Sequence, residues 1–181
     1  MTINRPKFYE KFRKAFGKLN QKQVEGFEAI FNEWEFQKLK DARWLAYMLA
    51  TVWHETAKTM QPIEEIGRGK GYKYGKMLKR SGVAYKLPLK LYFGRGLVQL
   101  TWFENYQLMS RLLKLDLLNK PELVLQMDVS IKIMFEGMLR GVSSFGDFTG
   151  KCLEMYFNDE VNDPIGARRI INGTDKAQLI A

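Results

Sequence analysis

An apolar stripe that follows Asp41 is the feature that most constrains the fold of this 181-residue chain. Leu45, Met48 and Val52 recur at steps of three and four, which is the spacing of one face of an α-helix. Asp41 is a suitable N-cap for this helix. The next position on the same face is Glu55. The stripe therefore predicts a packed helix that carries a carboxyl group on its apolar side, near the helix C-terminus.

Glu55 and the two glutamates that follow it are expected to differ in charge. An apolar face and the negative end of a helix dipole both disfavour the ionised form, so we expect Glu55 to stay protonated. Glu64 and Glu65 follow Pro62 and precede a glycine-rich, cationic run, which favours ionisation. One protonated and one ionised carboxyl group are what a general acid and a general base require. A surface ion pair is an equal alternative for Glu64.

Other apolar stripes predict a mainly helical protein. One lies in the N-terminal third, and others lie over residues 108–118, 131–139 and 148–157. The N-terminal stripe consists of Val24, Phe27, Ile30, Phe31 and Trp34. The chain length and an apolar content of 46% suit a single domain with a sizeable core.

Residues 97–102 alternate in the manner of a short strand, after a glycine-rich turn at residues 94–96. The alternation would place Gln99 and Thr101 on one face and anchor Val98 and Leu100 in the core. An amide and a hydroxyl on one face can hold a water molecule or an acetamido group. An ordinary edge strand explains the same pattern equally well.

Several kinds of site are excluded by residue counts and spacing. His54 is the only histidine, so a two-histidine zinc site is impossible, and no metal is assigned. The glycine runs lack the spacing of dinucleotide and phosphate loops, and no nucleophile elbow is present. Cys152, the only cysteine, is expected to be a buried thiol within a helix. No segment approaches the length of a membrane helix, and the N-terminus lacks the apolar core of a signal peptide.

The formal net charge of +9 predicts attraction to polyanions. Basic residues are densest between Arg68 and Arg95, where they alternate with glycine and tyrosine. Such a stretch suits a solvated surface, a loop beside a polysaccharide groove, or a track for single-stranded nucleic acid. Charge alone does not choose among them.

Four short motifs, taken in order, resemble one known family. They are His54-Glu55-Thr56, Pro62-Ile63-Glu64-Glu65, the run from Phe93 to Trp102 with Asn105-Tyr106, and Ala167-Arg168-Arg169-Ile170-Ile171-Asn172-Gly173. Together they are similar to glycoside hydrolase family 19, the chitinase-like enzymes, and more closely to its bacteriophage endolysin branch. The resemblance implies a mainly α, lysozyme-like fold with a small β element beside the active-site cleft. The resemblance covers roughly residues 44–181. We expect one catalytic domain over residues 1–181, in which residues 1–40 form an N-terminal helical packing segment and residues 41–181 the family-like catalytic core.

The resemblance also implies an inverting hydrolase of β-1,4-linked N-acetylhexosamine chains. Its general acid would be Glu55 and its general base Glu65, with Glu64 as the alternative base. Thr101 would help to position the attacking water. The candidate substrate contacts are His54, Tyr92, Gln99, Asn105, Arg169 and Asn172. Either Arg168 or the arginine after it is expected to hold the base carboxylate.

The implied protein is a peptidoglycan-degrading endolysin of the lysozyme or muramidase type, without a metal or organic cofactor. We expect a monomer that accumulates in the cytoplasm of an infected host cell without a Sec signal peptide. It would reach the wall only after the inner membrane is permeabilised, and its basic surface would bind the anionic envelope. Two alternatives are a chitinase and a non-catalytic protein that binds wall material or nucleic acid.

Overall fold

The computed structural model describes residues 2–139 and 148–181 of the chain. Within these residues the fold is mainly helical, as the sequence predicted. The helices are α1 (Arg5–Phe16), α2 (Gln21–Phe36), α3 (Ala42–Glu55), α4 (Phe103–Leu113), α5 (Met127–Met138) and α6 (Ala177–Ile180). Short 3-10 helices span Lys73–Gly75, Pro121–Leu125, Leu153–Met155 and Gly166–Ile170. None of the described helices is both long and apolar enough to span a membrane.

The helix that begins after Asp41 is confirmed. The side chain of Asp41 accepts a hydrogen bond from the backbone N–H of Arg43 at 2.9 Å, which caps α3. Met48 and Val52 are fully buried, so the predicted stripe faces the core. Glu55 is the last residue of α3. The helix therefore brings a carboxylate from the core face to the point where the chain leaves the helix.

Helix α2 forms the centre of the core, between α3 and α5. Its N-terminus is closed by a capping box, in which the side chains of Asn20 and Gln23 bond to each other's backbone N–H groups. A Cβ atom on Gly26 would lie 2.0 Å from the carbonyl oxygen of Met60. Because glycine allows this approach, the chain after α3 lies directly on α2. That contact positions the segment that leads to Glu64 and Glu65.

The small β element consists of two antiparallel strands, β1 (Ile63–Glu64) and β2 (Arg95–Gly96). The prediction of a strand over residues 97–102 was wrong, because residues 97–100 form a turn that Arg95 and Leu100 close. Gln99 has a φ of +52°, which no extended strand allows. The predicted burial of Val98 and Leu100 is confirmed, since both side chains are in the core. The turn leaves Gln99 and Thr101 partly accessible, but it buries the consecutive residues Leu97 and Val98 together.

The helix predicted over residues 148–157 is also absent, and only Leu153–Met155 forms a single 3-10 turn. Gly150 has a φ of +79°, and the hydroxyl of Thr149 donates to the carbonyl oxygen of Arg169 at 2.7 Å. These features bind the segment to the C-terminal part of the chain instead of to itself. The burial of Cys152 as a free thiol is confirmed.

Candidate active site

A cleft of about 460 Å³ lies beside the small sheet. Two carboxylates, Glu55 and Glu65, line it together. Its other walls come from the turn after β2, the start of α4, the basic loop and the C-terminal segment. The remaining lining residues are Tyr74, Arg80, Gly94, Val98, Gln99, Leu100, Thr101, Trp102, Asn105, Phe148, Thr149, Ile171, Asn172 and Gly173.

Glu55 meets a buried cation in the cleft wall. The Nη1 atom of Arg168 lies 2.6 Å from Oε1 of Glu55, and the two side chains are 1% and 14% exposed. Both atoms are sealed from solvent and have no aligned hydrogen-bond partner within the described part of the chain, so the contact is a close ion pair. The surroundings of Glu55 are therefore not purely apolar, because a buried cation lies against its carboxyl group.

Arg168 is held in place from the opposite side by the C-terminal segment. Its Nε atom donates to the carbonyl oxygen of Asp175 at 2.8 Å. The sequence had suggested that this arginine or the next one holds the base carboxylate, but the structure pairs Arg168 with Glu55. Arg169 is exposed and does not line the cleft. The 3-10 helix Gly166–Ile170 explains the difference, because successive residues of a helix point to different sides.

Glu65 is fixed by the strand that faces it. Its backbone N–H donates to the carbonyl oxygen of Gly94 at 2.8 Å, and its Oε2 accepts from the N–H of Gly94 at 3.0 Å. Its Oε1 accepts from the hydroxyl of Tyr74 at 2.8 Å. Burial raises the pKa of Tyr74, and the hydrogen bond to Glu65 adds to the rise, so the phenol stays a donor. Two donors therefore fix the orientation of the Glu65 carboxylate.

Glu64 is bound in a different environment from Glu65. Its carboxylate pairs with Arg95 at 3.1 Å and with Arg68 at 2.9 Å. Arg95 is itself 6% exposed, and its guanidinium lies 3.6 Å from the ring centroid of Phe93. Adjacent residues of an extended segment point to opposite sides, so Glu64 at the end of β1 and Glu65 directly after it face different ways. The structure brings Glu65 together with Glu55 and gives Glu64 the ion-pair role.

The turn after β2 supplies polar groups to the same cleft. The Nε2 atom of Gln99 donates to the carbonyl oxygens of Ile63 and Gly96 at 3.2 and 3.1 Å. The hydroxyl of Thr101 donates to the carbonyl oxygen of Gln99 at 2.7 Å. With its proton used in this way, the Thr101 oxygen keeps its lone pairs for a donor in the cleft. A water molecule is such a donor.

Trp102 is a cleft residue that the sequence reasoning missed. Its φ of +79° is unusual for a bulky residue and costs about 1–3 kcal/mol. The backbone N–H of Trp102 donates to the carbonyl oxygen of Tyr92 at 2.8 Å, and Tyr74 packs edge-on against its ring at 5.4 Å between centroids. Tyr74 and Arg80 were also not assigned as site residues. The only sequence signal for them was the mixture of tyrosine and basic residues around them.

The cleft brings together most of the predicted contacts but leaves out His54 and Tyr92. Asn105 and Asn172 line it with Gln99. His54 faces a separate, mainly apolar cavity of about 970 Å³ that phenylalanine side chains line. Tyr92 is 1% exposed, and its hydroxyl donates to the carbonyl oxygen of Leu118 at 2.8 Å. Across residues 2–139 and 148–181, no cluster of three or more His, Cys, Asp and Glu side chains can hold a metal ion.

A helical domain with a two-stranded sheet beside a cleft that holds two carboxylates is a lysozyme-like architecture. The chain has the chitinase-like fold of glycoside hydrolase family 19. Chitinase C from Streptomyces griseus superposes with a TM-score of 0.56 at 24% identity, over 90% of this chain and 78% of that one. A bacterial family 19 chitinase superposes with a TM-score of 0.52 at 23% identity, over 96% of this chain and 94% of that one.

A sequence match points in the same direction. An endochitinase from Arabidopsis thaliana is 43% identical over 84 residues, which is 45% of this chain and 30% of the endochitinase. The matched segment is therefore less than a third of that protein. No protein-family model matches the chain.

Proposed function

We propose that this protein is a glycoside hydrolase that cuts β-1,4 bonds in N-acetylhexosamine chains, with Glu55 as general acid and Glu65 as general base. The observation that carries the proposal is that these two carboxylates line one cleft in different surroundings. Glu55 contacts a buried cation, whereas Glu65 accepts two hydrogen bonds. An acid and a base on opposite sides of a sugar are the groups that glycoside hydrolysis needs.

Arg168 has a role in the proposed acid step. When Glu55 donates its proton to the glycosidic oxygen, negative charge develops on its carboxylate next to Arg168. The cation at 2.6 Å stabilises that charge, so the contact becomes more favourable as the proton leaves. An interaction that strengthens in the transition state lowers the barrier. In this view Arg168 acts through Glu55 and does not touch the substrate.

The proposed base step uses Glu65 and Thr101. Ionised Glu65 takes a proton from water on the sugar face opposite to Glu55. The Thr101 oxygen accepts the second hydrogen of that water and orients it, because its own proton is bound to Gln99. Single displacement inverts the anomeric configuration, and an inverting pair needs about 6.5–9.5 Å between carboxyl groups to admit water. Neither step calls for a metal or an organic cofactor.

We propose bacterial peptidoglycan as the substrate and an endolysin as the biological role. The net charge of +9 supports contact with an anionic cell envelope. The protein would act on the wall after the inner membrane of the host cell is permeabilised. Chitin is the second candidate, and the names of the three similar proteins favour it.

Product analysis tests the proposal. Purified peptidoglycan and chitin hexamer are each digested with the wild-type protein, reduced with borohydride and analysed by mass spectrometry. We expect peptidoglycan to give reduced muramic acid, which identifies a muramidase, whereas reduced glucosamine would identify a glucosaminidase. Cleavage of the hexamer alone would select the chitinase. Binding without new reducing ends on either substrate would contradict the hydrolase proposal.

A further inference from the structure

One wall of the cleft belongs to a segment that carries only positive charge. Residues 66–103 contain nine basic residues and no acidic residue. The nine are Arg68, Lys70, Lys73, Lys76, Lys79, Arg80, Lys86, Lys90 and Arg95. Two of them, Arg68 and Arg95, share Glu64 as an ion-pair partner outside the cleft. Within this fully described segment, Arg80 is the basic residue that lines the cleft.

Arg80 is positioned from two sides. Its backbone N–H donates to Oε1 of Glu104 at 2.9 Å, so the start of α4 fixes the loop. Its guanidinium lies 5.9 Å from the ring centroid of Trp102, which directly follows Thr101 in the chain. Arg80 and Thr101, which is proposed to orient the attacking water, therefore line the same cleft.

The guanidinium of Arg80 forms no ion pair with any side chain in the described part of the protein. Burial lowers the pKa of Arg80, and the charge of Glu104 opposes this effect. An arginine remains protonated at neutral pH in spite of such a shift. Arg80 is thus a permanent cation that is exposed at the cleft and has no ion-pair partner among the described residues.

We infer that Arg80 binds a carboxylate of the substrate, so that the cleft selects N-acetylhexosamine chains with acidic side groups over neutral ones. This inference rests on the proposed function and specifies its substrate class. A chain of unmodified N-acetylglucosamine offers Arg80 only hydroxyl and acetamido groups. The peptide stems of peptidoglycan offer carboxylates, which bind a guanidinium in a charge-assisted, bidentate geometry. A neutral polymer over Arg80 would displace water from the guanidinium without offering it a carboxylate.

The test compares an acidic substrate with a neutral one. We would measure kcat/KM on soluble peptidoglycan strands and on chitin hexamer for wild type, Arg80→Gln and Arg80→Lys. Loss of a hydrogen bond to a charged group corresponds to about tenfold or more. We expect Arg80→Gln to lose at least about tenfold on peptidoglycan and to stay within about twofold on the hexamer. On peptidoglycan, the kcat/KM of Arg80→Lys should lie between those of wild type and Arg80→Gln, because lysine keeps the charge but not the fork geometry.

Two controls separate this contact from general electrostatics and from misfolding. Lys11→Gln removes the same charge from an exposed position on α1, and it should leave the ratio of the two activities unchanged. Peptidoglycan strands with amidated carboxyl groups test the wild-type protein without any mutation. On amidated strands the kcat/KM of wild type should fall to that of Arg80→Gln. Amidation should not lower the kcat/KM of Arg80→Gln.

Each outcome decides a different question. Equal loss on both substrates, no loss on either, or full wild-type activity on amidated strands would overturn the role of Arg80 and leave the hydrolase proposal intact. Wild-type activity on the hexamer alone would overturn the selection for acidic chains. If wild type cleaves neither substrate, the proposed function itself fails.

Discussion

Glu64 and Glu65 are neighbours in the chain, yet their side chains have separate functions in the structure. Arg95 and Arg68 neutralise the first, while Tyr74 and Gly94 hold the second in the cleft. The difference follows from the alternation of side chains along an extended segment. The proposed chemistry therefore depends on the partners of each carboxylate and not on its place in a motif.

Tyr74 is predicted to be a positioning residue for Glu65. Tyr74→Phe removes the hydrogen bond at 2.8 Å and leaves the ring packed on Trp102. Since a hydrogen bond to a charged group contributes about 1.5–3 kcal/mol, we expect kcat to fall about tenfold or more, with little change in the unfolding midpoint. Tyr72→Phe is the matched control, because the Tyr72 ring stacks on Tyr74 at 5.0 Å and is largely exposed. Equal kcat values for the two variants would refute the role of Tyr74.

Arg168 is predicted to stabilise the fold as well as the site. Arg168→Leu leaves the carboxylate of Glu55 next to a buried apolar side chain, and breaking a buried ion pair costs about 3–5 kcal/mol. Arg169→Leu changes the neighbouring, exposed arginine, and it should change stability by about 0.5 kcal/mol or less. Urea unfolding of both variants measures the difference. If the two variants unfold at the same urea concentration, the buried pair contributes no net stability.

At the level of secondary structure, Gly96 is predicted to be the position where the small sheet tolerates a side chain least. It has a φ of +87°, and a Cβ atom there would lie 2.6 Å from Oγ of Ser130. Gly82 has nearly the same φ of +85° but open space around it. Both alanine variants carry the left-handed backbone cost of about 1–2 kcal/mol, and Gly96→Ala should lose about 1–3 kcal/mol more through crowding. Thermal unfolding of the pair isolates the crowding, and equal losses would argue against it.

The elements that the sequence predicted are those whose signal is local. The stripe from Leu45 to Val52 and the N-cap at Asp41 define α3 within a few residues, and the structure agrees. The turn after β2 departs from the pattern of a strand, because the consecutive residues Leu97 and Val98 are both buried. A strand cannot bury two consecutive side chains on one face. Only long-range packing distinguishes a turn from a strand here.

In the candidate site, too, the residues of local motifs could be predicted, whereas contacts between distant segments could not. Motif residues such as Glu55, Gln99 and Asn172 do line one cleft. The pairing of Arg168 with Glu55 could not be predicted, because it joins distant parts of the chain through a 3-10 helix. The apolar spacing before Glu55 suggested uncharged surroundings. In the structure Arg168, which is distant in the sequence, contacts its carboxylate.

At the scale of the whole molecule, the net charge of +9 predicts binding to cell walls that weakens with salt. Screening shortens from about 10 Å at 0.1 M to about 3 Å at 1 M salt, so exposed lysines lose their attraction to the anionic wall. The measurement is the fraction of protein that pellets with insoluble wall material at the two salt concentrations, with Glu55→Gln used to prevent digestion. An unchanged pelleted fraction would count against electrostatic association.

The central claim is that Glu55 and Glu65, and not Glu64, form the catalytic pair. The most direct measurement is the initial rate of new reducing ends on the better substrate for Glu55→Gln, Glu65→Gln and Glu64→Gln, below their unfolding temperatures. General acid and base groups each contribute about 10²–10⁴-fold, so the first two variants should lose at least about 100-fold. Glu64→Gln should keep activity within about tenfold and show a lower unfolding temperature, because Arg95 loses its charged partner. Full activity in Glu65→Gln together with loss in Glu64→Gln would contradict the account.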